Sequence, residues 1–329
     1  MLTCIIILAL IFGLINGFSD STNYSVSALV SSKLLTARFA VFWAALFNFI
    51  AYFFFKLNIA NTVCKDIAHI EVITLSILFS ALISSVLWNL ITLRFSISTS
   101  SSHALLGSFV GAVLAKGGID AIIYSTVSKI FILIFLAPFA GMITSFFVST
   151  VLINICNKLS YSGVEKKFRY LRFFSAALYG LSQGTNDAQK VMGIIYLALI
   201  TAGNIHRNSN IPFWVVISCH AAIAAGTLLG GLKIVKNMGQ RITHLRTFEG
   251  FSAELSGALT LLGTNAIGIP VSTTHVLTGS VIGAGITKRF SAIRWGVSVE
   301  IFWAWLLTIP ITLMLSAAVY YIFHFFTGF

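Results

Sequence analysis

Ten apolar runs take up most of this sequence, and most are close to the roughly 20 helical residues that cross a hydrocarbon core about 30 Å thick. They fall at 2–32, 36–56, 72–94, 97–116, 124–156, 173–203, 211–231, 250–269, 272–287 and 295–325. Such a chain cannot bury all of these runs against itself and stay in water. Composition agrees: 57% of the 329 residues are apolar and 9% are charged, against about 25% charged in a soluble domain. Soluble, disordered and disulfide-scaffold classes are thereby excluded. Cys4, Cys64, Cys156 and Cys219 have no paired spacing and are expected to be small buried hydrophobes. No basic segment precedes the first run, so it reads as a membrane segment and not as a cleaved signal. The expected fold is an all-α polytopic membrane protein with about 10–12 membrane segments.

Lys and Arg number 21 against 9 Asp and Glu. In a membrane chain that excess marks cytoplasmic loops and argues against nucleic acid as partner. The stretch 157–172 carries Lys158, Lys166, Lys167, Arg169 and Arg172 and is placed in the cytoplasm. Threading outward from it puts 15 basic residues on that side and 4 on the other. Both termini then face outward, and the expected location is the plasma (inner) membrane.

The second half of the chain repeats the first. Residues 97–116 and 269–288 align at an offset of 172, with Ser100, His103, Gly107, Gly111 and Lys116 recurring as Ser272, His275, Gly279, Gly283 and Lys288. Pro138 and Pro310 share that offset. At an offset of 167, Gly13, Gly17 and Asp20 recur as Gly180, Gly184 and Asp187. The organisation read from this is a first transmembrane repeat at 1–156, a basic cytoplasmic linker at 157–172 and a second repeat at 173–329. An odd number of runs per half makes the repeats inverted in topology. That arrangement belongs to secondary transporters, with substrate and ions bound at the midplane where broken helices meet.

Two kinds of polar cluster interrupt the apolar runs. Asp20 lies in Gly17-Phe18-Ser19-Asp20-Ser21-Thr22-Asn23, and Asp187 in Gln183-Gly184-Thr185-Asn186-Asp187-Ala188-Gln189-Lys190. A carboxylate in hydrocarbon costs about 2.5–3.5 kcal/mol on insertion scales, so each Asp needs a partner or a wet cavity. A helix broken at the neighbouring Gly, with free carbonyls beside the carboxylate, would suit Na+ or a proton relay. Lys190, three residues after Asp187, either pairs with it or meets an anion. Glu254, inside the run 250–269, is a further candidate for cation coupling. The second kind, Ser98-Thr99-Ser100-Ser101-Ser102-His103 and Ser272-Thr273-Thr274-His275, sets hydroxyls and free N–H groups at the start of a short helix. That geometry suits an anion, phosphate especially, and the short helices read as re-entrant-like arms. His103 and His275 serve either as ligands or as packing residues. The glycines at 107 and 111 and their copies read as a close helix-packing face.

Together these motifs resemble the inorganic phosphate transporter (PiT) family. Gly17 to Asn23 and Gly184 to Lys190 are similar to its two Gly-x-Asn-Asp signatures, with Ser19 in place of the usual Asn in the first. Ser100-Ser101-Ser102-His103 and Pro270-Val271-Ser272-Thr273-Thr274-His275 are similar to its paired hydroxyl loops. Trp88-Asn89-Leu90 and Ala304 to Pro310 are also family-like. The resemblance implies a dimeric symporter in the lipid bilayer that imports inorganic phosphate with Na+ or H+ and uses no cofactor. It implies a site with Asn23, Ser100, Ser101, Ser102, Asn186, Gln189, Lys190, Ser272, Thr273 and Thr274 on phosphate. Asp20 and Asp187 would hold the cation, as Na+ ligands if sodium is the coupling ion. A sulfate permease on the same scaffold and a passive anion channel are the alternatives. An intramembrane enzyme using His103 or His275 lacks a recognised catalytic motif.

Overall fold

The computed structural model describes residues 1–20, 36–53, 57–65, 67–95, 97, 99–158, 160–207, 209–234 and 245–327. Asn23 and Ser98 lie outside the described residues, as does the side chain of Asp20. Eleven α-helices run through the described residues: α1 Leu2–Asp20, α2 Ala37–Ile50, α3 Asn58–Lys65, α4 Leu75–Arg94, α5 Ser101–Gly117, α6 Tyr124–Cys156, α7 Tyr161–Thr201, α8 Phe213–Ile234, α9 Thr247–Ala266, α10 Thr273–Ile286 and α11 Trp295–Thr327. Sheet is limited among these residues to one backbone bridge, Ala68 to Ile122.

Apolar side chains cover the outside, as lipid requires. Along α6 an exposed stripe of Ile132, Leu136, Phe139, Ile143, Phe147 and Val151 follows helical spacing. The opposite face buries Ile130, Ile134, Ala137, Gly141, Ser145 and Ser149. Small and hydroxylated residues inside with large apolar ones outside is the pattern of a helix packed within a membrane. Five of the described helices (α1, α4, α6, α8 and α11) are long and apolar enough to cross a bilayer. The protein is a multi-pass, all-α membrane protein.

Helix partners repeat between the halves. By the sequence offsets, α1, α2, α4, α5 and α6 correspond to α7, α8, α9, α10 and α11. Helix α5 packs on α11 and α10 packs on α6; α4 packs on α5 and α9 on α10; α1 packs on α8 and α7 on α2. Each short helix therefore lies against the long Pro-containing helix of the other half. Glycine makes the approach close. A Cβ on Gly107 or Gly111 would run into the backbone of Ile309 or Leu313, and one on Gly279 or Gly283 into Pro138 or Met142. The expected packing role of these glycines holds.

Some sequence expectations need correction. The sixth run starts earlier than residue 173: α7 spans 41 residues from Tyr161, so most of the stretch 157–172 is helix and not a loop. Ser160 caps its start by accepting from the Gly163 N–H. Arg172, read as a loop charge, is 1% exposed. The expected break at Gly184 is not there, because α7 is continuous through it. A Cβ on Gly184 would fall 2.6 Å from the Asn48 Cα of α2, so this glycine lets two helices touch. Of the cysteines, Cys219 is buried as expected, whereas Cys4 is exposed on α1.

Candidate functional site

A buried polar cluster forms where the middle of α7 meets the starts of α5 and α10. Asp187 and Lys190 share one face of α7 at i, i+3 spacing and are 1% and 3% exposed. The Lys190 Nζ donates to Asp187 Oδ1 at 2.8 Å, to Ser102 Oγ at 2.5 Å and to the Val271 carbonyl at 2.7 Å. Its three protons are thereby all used. The second carboxylate oxygen, Asp187 Oδ2, accepts from Thr273 Oγ1 at 3.2 Å. Asn186 Nδ2 donates to Asp187 Oδ1 and to the Val271 carbonyl, at 3.3 and 2.9 Å. Buried charges demand such partners, since desolvation otherwise outweighs their attraction.

Both hydroxyl loops are built alike. Ser100 and Ser272 are the N-caps of α5 and α10, and each accepts from the backbone N–H of the His three residues on, at 3.4 and 3.3 Å. With 17 and 14 residues, these helices are about 26 and 21 Å long, too short to cross about 30 Å of hydrocarbon. Their first turns are buried, with Ser102 at 9% and Thr273 at 3% exposure. The turn after each cap carries Ser101 and Ser102, or Thr273 and Thr274. Ser101 donates to Asn16 Oδ1 on α1. Thr274 is half-buried in the first turn of α10. His103 and His275 meet edge to face with ring centroids 4.3 Å apart, and His275 stacks on Trp305 at 3.5 Å. The two loop copies thus touch each other through their histidines.

Two expected site residues face elsewhere. Gln189 Oε1 accepts from the Ile59 N–H at 2.9 Å and so caps α3, while its Nε2 reaches Asn265 Oδ1 at 3.5 Å. Glu254 on α9 is bound by Arg172 Nη2 at 3.1 Å and by Ser175 Oγ at 2.5 Å. Arg172 precedes Asp187 by fifteen residues on α7, about 22 Å along the helix. Sequence reasoning missed two participants, Asn16 and the Val271 carbonyl. Asn16 had a signal, since it is a lone amide in an apolar run in step with Gln183 at the 167 offset. The Val271 carbonyl had none, and neither did the Arg172 partner that draws Glu254 away from the cluster.

A small pocket adjoins the cluster, lined by Ser102 and Lys190 at its polar wall and by residues such as Leu105, Phe109, Ile134 and Ile194 elsewhere. Among the described residues no three His, Cys, Asp or Glu side chains come together as a metal site. Oxygens and one ammonium, drawn from both halves, thus meet at two helix N-termini.

A model of the phosphate transporter family matches residues 16–316, almost the whole chain. The chain belongs to that family. This family transports and does not catalyse covalent chemistry, so the chain is not an enzyme. Two relatives named probable low-affinity inorganic phosphate transporter resemble this family member along their full length. The one in Rhizobium meliloti (strain 1021) is 43% identical over 98% of this chain and 96% of its own. The one in Bacillus subtilis (strain 168) is 39% identical over 97% and 96%. A solved structure titled the sodium-dependent phosphate transporter covers 98% of this chain and 99% of its own, with a TM-score of 0.86 at 24% identity. At that identity the likeness establishes the fold.

Proposed function

We propose that this family member imports inorganic phosphate by symport with a monovalent cation, in alternating access around the Asp187 cluster. One observation carries the reading: Ser102 of the first half and Asp187, Lys190 and Thr273 of the second converge in one buried cluster at the starts of two short helices. Hydroxyls at helix N-termini are suited to phosphate oxygens, and the names of the relatives in Rhizobium meliloti and Bacillus subtilis point to the same anion. Asn23, Ser100, Ser101, Asn186, Ser272 and Thr274 complete the expected anion set, and Asp20 and Asp187 supply the carboxylates that balance positive charge at the site. The inverted arrangement of repeats 1–156 and 173–329, the dimer and the outward-facing termini belong to the same proposal.

Energetics require a cation. A phosphate dianion entering against an inside-negative potential of about 100 mV costs about 4.6 kcal/mol. Two monovalent cations cancel this electrically, and their own gradient supplies the drive. The exchange of partners between α5 and α10 gives the halves a shared interface on which to rock.

The test is radiolabelled phosphate uptake into proteoliposomes with Na+ and pH gradients imposed separately. Uptake is expected to follow one of the cation gradients, and Asp187→Asn is expected to lower it at least tenfold. Flux indifferent to both gradients would indicate a channel instead, and competition by sulfate a different oxyanion. Uptake unchanged by Asp187→Asn would overturn the assignment.

A further inference from the structure

Three oxygens surround the Lys190 Nζ: a carboxylate oxygen of Asp187, a hydroxyl oxygen of Ser102 and the Val271 carbonyl, at 2.8, 2.5 and 2.7 Å. Carboxylate, hydroxyl and backbone carbonyl are the oxygen types that a hard cation takes in a protein. In transporters with such short helices, backbone carbonyls beside a carboxylate coordinate the coupling ion. Here the cage already holds a positive charge, and it is covalently attached. The Asp187 oxygen that faces the cage already carries the ammonium and the Asn186 amide. All three ammonium protons are used, and the other Asp187 oxygen is taken by Thr273. A sodium ion at the same carboxylate would face the ammonium at close range, and like charges sharing one site oppose each other.

The sequence repeat points the same way. At the offset of 167 that matches Gly17 to Gly184 and Asp20 to Asp187, the position of Lys190 corresponds to Asn23. One copy of the motif carries a neutral amide there and the other a cation, so the copies are not equivalent in charge.

We propose that the Lys190 ammonium is a tethered substitute for a transported sodium ion, so that the second-half carboxylate of this chain binds no Na+. Lys190 also acts as a tie, because it joins α7 to the start of α5 through Ser102 and to the loop before α10 through Val271. Any cation that is coupled to transport must then bind elsewhere or displace the ammonium. This assignment rests on the reading of the chain as a cation-coupled carrier, which the phosphate uptake experiment tests by itself.

The experiment counts radiolabelled Na+ bound per chain at saturating Na+ and fixed pH on the full-length protein in detergent. Lys190→Met is expected to bind one Na+ more than the wild type, and Lys190→Arg none more. The charge-neutral double variant Asp187→Asn/Lys190→Met is expected to return to the wild-type count. No gain in a folded Lys190→Met protein would overturn the proposal. So would a double variant that binds one Na+ fewer than the wild type, since Asp187 would then be a sodium ligand beside an intact lysine. If Lys190→Met fails to fold, the double variant decides alone, because it removes both charges together. The Na+ counts need no phosphate flux, so a failed uptake assay leaves them interpretable.

Discussion

A carboxylate inside a membrane domain has to be answered by a positive charge, either built in or visiting. Asp187 and Glu254 are both answered from within, by Lys190 and Arg172. The Arg172–Glu254 pair is almost wholly buried, at 2% and 0% side-chain exposure, and it stands apart from the cluster of α7 with α5 and α10. Arg172→Met is therefore expected to cost about 3–5 kcal/mol by stranding the Glu254 carboxylate, read as a lower Tm in detergent. Arg172→Met/Glu254→Leu, with no charge left to bury, should recover most of that loss and keep phosphate uptake. Loss of uptake in that folded double variant would return Glu254 to a cation-coupling role. At this scale much of the site was legible. Asp187, Lys190, Ser102 and Thr273 stand out as polar residues in apolar runs. Arg172 did not, because next to Lys166, Lys167 and Arg169 it has the look of one more loop charge, and only the fold shows that α7 carries it inward. The Val271 carbonyl is a backbone acceptor, which no side-chain pattern discloses.

Among the elements, the two short hydroxyl-led helices do the placing, and they do it through contacts that a side chain would block. Each lies against a partner backbone over glycine, as Gly279 does against the Pro138 carbonyl. Gly279→Val is expected to destabilise by at least the roughly 1–3 kcal/mol typical of overpacking, because the obstacle is main chain and cannot rotate away. Gly263→Ala is the control. That glycine lies in α9 with nothing within 4 Å of an added Cβ, so the substitution should be neutral or stabilise by about 0.5–1 kcal/mol. Thermal melts of the two purified variants beside the wild type test both. The short helices were readable in advance, since Ser100 and Ser272 each open a Gly-rich run at one offset. The continuity of α7 was not. Glycine within a polar cluster reads equally well as a break or as a contact, and Gly184 is a contact because Asn48 of α2 lies against it.

In the whole molecule, the duplication announces itself in the sequence, but the exchange of partners between the halves does not. Periodicity gives each helix an inner face without saying which helix will meet it. The structure pairs α5 with α11 and α10 with α6, so each half owns only part of the contacts that hold its own hydroxyl loop. The Lys190 cluster repeats this on a smaller scale, because Ser102 comes from the first half and Asp187 and Thr273 from the second. A half expressed alone would present to lipid polar groups that contacts between the halves bury, among them Asn48 and Ser102 of the first half, which bond to Thr227 and Lys190 of the second. Lipid offers no hydrogen bonds in return. Residues 1–158 and 160–329 expressed separately are accordingly expected to yield no stable protein. Co-expressed, they should copurify and restore phosphate uptake, since the cut falls between α6 and α7 and severs no helix. A first half that purified alone as a monodisperse species would mean that its inner faces find partners without the second.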